Sequence, residues 1–425
     1  MSQHRIAIIG GGSAYVPGIL YSLAHSGTTL SGSEIVLMDV DPSRLPMMTK
    51  LCERMIDEAK VTLTVTSTTD VSQALKGATF VLGNFRPGGL EGLRLDETIP
   101  DKYDVLGQET TGPGGTFFAL RSIPQVLDLC KDMEDICPEA WLINYVNPTN
   151  FVADAVRRRS TVKSLAICDG GGNSLAYSLP ELFGVQQDEV QVRAAGVNHH
   201  SWVMELHVSG EEGYPLLRER LRKSGKSGFR AWALERLGIY PANPDYLFPY
   251  YNYDEALAEF RAGDSLYGMF TTDLPEHWTN FEAMAEGKAR VQMDVNKHHT
   301  DVTHGDLAVQ IMLSIAGNET KEFHVNVPNE GAVTNLPEGA IVEVPALVDA
   351  GGARPLCMGE LPKAVLGLTQ ALIAWQELSV DAALTGDRNT VVQALVAHPW
   401  MRSTAIAQKL CDEMLAAHAG YLPQF

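Results

Sequence analysis

A chain of 425 residues, 45% hydrophobic and 20% charged, carries a formal charge of −19. That balance argues against nucleic acid or an anionic membrane as a partner, because both would be repelled. Any anionic small molecule must then be caught by a local group of cations. The length fits two or three domains, or two lobes sharing one cleft. The six cysteines (Cys52, Cys130, Cys137, Cys168, Cys357 and Cys411) form no C-x-x-C pair, so reduced thiols in a cytoplasmic protein are expected. The opening "MSQHRIAIIGGGS" enters a strand at once, without the basic, apolar and cleavage regions of a targeting signal. No apolar stretch approaches membrane-spanning length.

In chain order, "RIAIIGGGSAYVPGIL" reads as a β-branched strand, a glycine turn and a helix. Gly10 and Gly12, with Ser13 beside them, permit a tight turn before a helix N-terminus, where free N–H groups and the dipole favour a pyrophosphate. The spacing departs from G-x-G-x-x-G, the third small residue being displaced to Pro17-Gly18, and a plain structural turn is the alternative. "SEIVLMDVDPSRL" is a second strand ending in Asp39, where an acid would hold ribose hydroxyls and favour NAD over NADP. "VTLTVT", "ATFVLGNF" and "AWLINYVNP" supply three more strands separated by helical segments, which predicts a doubly wound parallel sheet with ligand groups at its carboxyl ends.

Polar clusters follow these strands. Residues 85–115 read as a long irregular loop rich in glycine and charge, with Arg86, Arg94, Asp96, Glu97, Gln108 and Glu109. Asn147, before a proline, either presents an amide to a sugar hydroxyl or caps the next helix. "SLAICDGGGNS" reads as a buried strand ending in Cys168 and Asp169, followed by Gly170, Gly171 and Gly172. About thirty residues later comes "AAGVNHHSWV", with Asn198, His199 and His200. Cysteine and histidine are ligands for Mn²⁺, Zn²⁺ or Fe²⁺, and two protein ligands leave positions for a substrate diol. A buried thiol and a backbone-bonded histidine are the alternative. "VNKHHTDVTHGD" gathers Lys297, His298, His299 and His304, either a pocket for an anion or a solvated turn. The last 65 residues carry apolar side chains at i, i+3, i+4 and i+7 and are expected to be core helices and an oligomer interface.

Taken together, "IAIIGGGS", "FRPGGLEG", "GQETTGPGG", "NYVNPT", "ICD", "GVNHHSW" and "NVPNEGAVTNLPEGAIVEVP" resemble family four of the glycoside hydrolases, the NAD- and metal-dependent glycosidases, over nearly the whole chain. The resemblance implies a Rossmann-type domain over 1–168 and a second mixed α/β lobe with C-terminal helices over 169–425, in a homodimer or homotetramer. It implies NAD⁺ and a divalent metal, Mn²⁺ above all. The implied chemistry is oxidation at C3 of the sugar, loss of the C2 proton, elimination at C1, water addition and re-reduction, with no flanking carboxylate pair.

Matched by position, Cys168 and His199 correspond to metal ligands, and Asn147 and Asn198 to substrate-contacting amides. Arg86 and Asn147 are expected at the cofactor, and Arg94 and Glu109 at the substrate. The base corresponds to Tyr246, with Tyr250 and Tyr251 as rivals in "NPDYLFPYYNYDEA". Asp169 resembles the acid of members that cleave α-glycosides, where it protonates the departing oxygen, and the glycines after it would admit substrate to the backbone. Gly170-Gly171 stands where phospho-α-glucosidases continue with a hydrophobic residue and proline, and the anion region also differs. The expectation therefore leans to an α-glycoside of 6-sulfo-glucose over one of 6-phospho-glucose. A net NAD-dependent dehydrogenase of a sugar or hydroxy acid is the rival class.

Overall fold

The computed structural model describes residues 4–27, 29–224, 228–293 and 303–425, with backbone alone at 224, 303 and 304. Six short strands form the predicted parallel array: β1 (Arg5–Ile9), β2 (Glu34–Met38), β3 (Thr64–Thr68), β4 (Phe80–Gly83), β5 (Trp141–Asn144) and β6 (Lys163–Ala166). Their order is β3-β2-β1-β4-β5-β6. Helices cover both faces of such a sheet, so its central strands read as continuous apolar runs. β1, β2 and β4 are buried almost throughout, whereas edge strand β3 exposes its threonines.

The sheet does not stop there. β7 (Val190–Val197), β8 (His200–Val208), β9 (Glu211–Glu212), β10 (Tyr240–Pro241), β11 (Lys321–Pro328), β12 (Ile341–Asp349) and β13 (Gly352–Pro355) extend it by antiparallel pairing. β11 joins β6 through Asn326 opposite Ala166, and β12 joins β7 through Glu343 opposite Gly196. The result is one 13-stranded sheet, parallel at one end and antiparallel at the other.

The predicted C-terminal helices are Lys363–Thr385, Arg388–Ala397 and Thr404–Ala417. The first packs on helices Pro113–Ile136 and Thr149–Arg159 of the parallel half. Trp375 lies edge-on to Phe151, with ring centroids 5.0 Å apart, and its indole N–H donates to Thr116 Oγ1 at 2.8 Å. One apolar core therefore runs from Ile6 through Val342 to Met414.

Residues 85–115 differ from the expectation. They are largely helical, with Gly89–Asp101 as one helix and Pro113 opening another. The buried face of Gly89–Asp101 carries Asp96 and Glu97 beside Leu93 and Ile99, so its periodicity is masked by charge. Both acids have structural partners. Asp96 pairs with the fully buried Arg121, and the Glu97 carboxylate accepts from the Leu266 and Tyr267 N–H groups at the start of helix Leu266–Ala285. Among the described residues no helix is long and apolar enough to cross a membrane, and all six cysteines are free.

Candidate active site

The carboxyl ends of β1, β4, β5 and β6 open into one cleft of 1710 Å³. At the end of β1 the chain turns at Gly10 (φ +93°), whose missing side chain leaves room for the Asn84 carbonyl. Gly10 and Gly11 both donate to the Met38 carbonyl, at 2.9 and 2.7 Å, which locks the turn onto β2. Gly12 N–H donates to Asp39 Oδ2 at 2.9 Å. Gly12, Ser13 and Asp39 line the cleft ahead of helix Val16–Ala24, which opens without a side-chain cap. A glycine turn, an uncapped helix start and an acid at the end of the second strand fit a dinucleotide. Sequence reading missed the Arg44 guanidinium stacked 3.6 Å over Trp278, on the wall beside Asp39.

The β4 end carries Arg86. Its guanidinium is paired with Glu109 and lies 5.1 Å over the Phe118 ring. Arg121 donates to the Pro87 carbonyl at 3.2 Å and so pins this segment from behind. Arg86 lines the cleft, but Glu109, 2% exposed, stands behind it with its carboxylate turned to Arg86, so substrate contact by Glu109 is corrected to support of Arg86. Arg94 is likewise corrected. It sits on the outer side of its helix, lies away from the cleft wall, and is paired with Glu91 at 2.6 Å. Asn147 lines the cleft and does not cap the next helix, whose N-cap is Pro148.

At the β6 end, Cys168 meets the β7–β8 turn. Cys168 Sγ and His199 Nε2 are 3.7 Å apart. His199 holds φ +62°, an unfavourable conformation for a bulky residue and a common one at functional turns. Its Nδ1 lies 3.3 Å from the Asn243 amide, and its ring is 4.0 Å from that of Tyr246, centroid to centroid. Burial holds the His199 imidazole neutral, its pKa lowered to about 4, and pushes the Cys168 thiol up to about 12. Asn198 is corrected in position. It stands behind the wall, its Nδ2 donating to Glu343 Oε2 at 2.8 Å, and its buried Oδ1 has no hydrogen-bond partner among the described residues. A neutral imidazole facing a thiol, with an unsatisfied carbonyl oxygen nearby, fits a divalent cation held by Cys168 and His199. No third His, Cys, Asp or Glu completes a metal cluster among the described residues.

Asp169 lines the cleft next to Cys168, and its Oδ1 accepts from the Tyr145 phenol at 2.9 Å. Of the three tyrosines, Tyr246 alone faces the cleft. Tyr250 donates to the Thr111 carbonyl, and Tyr251 packs among Trp202, Phe229 and Trp232. Burial, with Glu109 and Cys168 nearby, holds the Tyr246 phenol far above its ordinary value, while Arg86 pulls the other way.

The glycine run has a different cause from the one expected. A side chain on Gly171 (φ +63°) would overlap Glu343 Oε1, one on Gly172 would overlap the His324 ring, and one on Gly170 would press on the Asn243 amide. The glycines admit buried protein groups, and access for substrate is not needed to explain them. Lys297, His298 and His299 lie outside the described residues. Glu343, His324, Asn243 and Tyr145 were missed. A lone acid in "AIVEVPAL" was the one signal that marked Glu343.

The chain matches the model of the family 4 glycosyl hydrolases over residues 5–173 and that of the family 4 glycosyl hydrolase C-terminal domain over 194–401. It belongs to that family. It is 30% identical to a probable 6-phospho-beta-glucosidase of Bacillus subtilis, over 99% of this chain and 98% of the relative. A solved 6-phospho-alpha-glucosidase from gut microorganisms, in complex with NAD and Mn²⁺, superposes with a TM-score of 0.89 at 26% identity, covering 99% of both chains. The 6-phospho-beta glucosidase of Thermotoga maritima, solved with manganese, NAD⁺ and glucose-6-phosphate, gives 0.88 at 26% identity over 98% of this chain and 99% of that one. As a family 4 member this chain is a glycoside hydrolase.

Proposed function

We propose that this hydrolase is an NAD⁺- and divalent-metal-dependent glycosidase that cleaves α-glucosides bearing an anion at C6, with phosphate as the anion. One observation carries the reading: Cys168, His199, Asp169 and Tyr246 meet on the wall of the same cleft that holds the dinucleotide turn. Bound NAD⁺ would supply a hydride acceptor that also returns the hydride, and the cation, Mn²⁺ above all, would polarise adjacent sugar oxygens. The protein's part is positional and acid–base. Cys168 and His199 hold the cation and leave the remaining positions to the sugar. Tyr246 is the base for the proton at C2, and Arg86, with a cation that Cys168 and His199 would hold, would lower its raised pKa. Asp169 gives its proton to the departing oxygen, with Tyr145 fixing the carboxyl group.

Phosphate is favoured over sulfonate because most of the relatives are named as phospho-glucosidases, an alpha-galactosidase of Bacillus subtilis being an exception. The glycine run that pointed to a sulfonate is accounted for by Glu343 and His324. The α preference rests on Asp169. Turnover of aryl α- and β-glucosides carrying 6-phosphate, 6-sulfonate or 6-hydroxyl, each with NAD⁺ and Mn²⁺, tests the proposal. The 6-phospho-α-glucoside should be cleaved fastest, with no accumulation of NADH. Preference for the sulfonate or the β-anomer would overturn that part, and stoichiometric NADH would make the chain a net dehydrogenase.

A further inference from the structure

We infer that Glu343 is a positioning residue for the cation, acting through the Asn198 amide and by its own negative charge. The inference rests on the cation being held by Cys168 and His199, as proposed above. Glu343, 2% exposed, is the one buried acid of strand β12, whose other acid, Asp349, stands at its end. A carboxylate in such a place is costly unless partners hold it. Oε1 accepts from Ser201 Oγ and Oε2 from Asn198 Nδ2, each at 2.8 Å. It lacks a cationic side-chain partner: no salt bridge to Glu343 occurs among the described residues.

The surroundings are built to keep it there. Gly171 has no side chain where Oε1 sits, and the Gly171 N–H is tied to Asn243 Oδ1 at 2.7 Å. The same Asn243 amide reaches His199. The Asn198 amide is held by Glu343, and Asn198 directly precedes His199 in the β7–β8 turn. Glu343 therefore stands one layer behind the proposed ligands and reaches His199 through the turn that Asn198 shares with it.

Charge completes the picture. A thiolate and a neutral imidazole leave a divalent cation with one uncompensated positive charge. An ionised Glu343 behind them would bring the buried group to neutrality. Groups one layer behind metal ligands commonly change affinity by about 10–100-fold when removed.

The test is Mn²⁺ affinity measured from the spectroscopic signal of free Mn²⁺, with NAD⁺ affinity and thermal midpoint measured on the same samples. Glu343→Gln keeps both hydrogen bonds in reach, because the Ser201 hydroxyl can accept, and removes only the charge. It should bind Mn²⁺ at least tenfold more weakly while NAD⁺ affinity stays within twofold. Asn198→Ser breaks the same relay without altering β12 and should weaken Mn²⁺ to a similar degree, so it carries the test if Glu343→Gln does not fold. Wild-type Mn²⁺ affinity in either folded variant overturns the inference. If instead the wild-type protein binds no Mn²⁺, or Cys168→Ser binds it equally well, the placement of the cation is what fails.

Discussion

Replacing Gly171 by alanine separates two effects that glycine substitutions usually mix. Gly171 and Gly184 both adopt left-handed backbone, with φ +63° and +70°. A side chain at Gly184 would meet nothing within 4 Å, whereas one at Gly171 would strike Glu343 Oε1. Gly184→Ala should therefore lose only the conformational term, about 1 kcal/mol. Gly171→Ala pays that and must also displace a carboxylate whose two hydrogen bonds are each worth roughly 1.5–3 kcal/mol. Losing one or both gives a total of about 2.5–7 kcal/mol. For a chain of this length, 1 kcal/mol moves the thermal midpoint by roughly 1 °C. Differential scanning of the metal-free proteins should then show a fall of about 2.5–7 °C for Gly171→Ala against about 1 °C for Gly184→Ala. Equal shifts in the two variants would refute the reasoning, because they would mean that Glu343 does not occupy the space behind Gly171.

Asp169→Asn should slow glucosides with poor leaving groups by at least a hundredfold and aryl glucosides with acidic phenols by less than tenfold. Equal losses would remove the proton-donor role. Tyr246→Phe should abolish solvent deuterium incorporation at C2 while leaving NAD⁺ and Mn²⁺ affinity within about twofold, whereas Tyr250→Phe should retain exchange. Persistent exchange in Tyr246→Phe would transfer the base role elsewhere. Glu97, buried at the start of helix Leu266–Ala285, has its pKa raised from 4.5 to about 8. The folded protein keeps a proton that the unfolded chain has lost between those values. Its stabilising effect is thus complete below about pH 4.5 and disappears as the pH rises through 8. Glu97→Gln should flatten that part of the profile of thermal midpoint against pH, and an unchanged slope would return the dependence to other groups.

How far the sequence reveals this site depends on whether a residue's partners are local. The dinucleotide turn, Asp39 and the Cys168–Asp169 pair sit at strand ends, where apolar runs and glycines mark them. The link from Cys168 to His199 was not visible in spacing and came through family resemblance. Arg94 and Glu109 were misjudged for the same physical reason. A charged residue in a motif-rich stretch reads as ligand-facing, yet Glu91 claims the first and Arg86 the second. Glu343 was passed over because its meaning arises only when β12 pairs with β7 and places it behind the His199 turn. The glycines after Asp169 were misread on the same account, since the atoms they accommodate come from β11, β12 and Asn243.

The return of helix Lys363–Thr385 to the parallel half has a consequence for biosynthesis. A nascent chain that has completed β6 still lacks the tryptophan that covers Phe151 and bonds Thr116. Until some two hundred further residues emerge from the ribosome, that apolar flank stays open to chaperones or to neighbouring chains. Expressing the nucleotide-binding half alone would make the exposure permanent, and aggregation rather than a free-standing module is the outcome to expect.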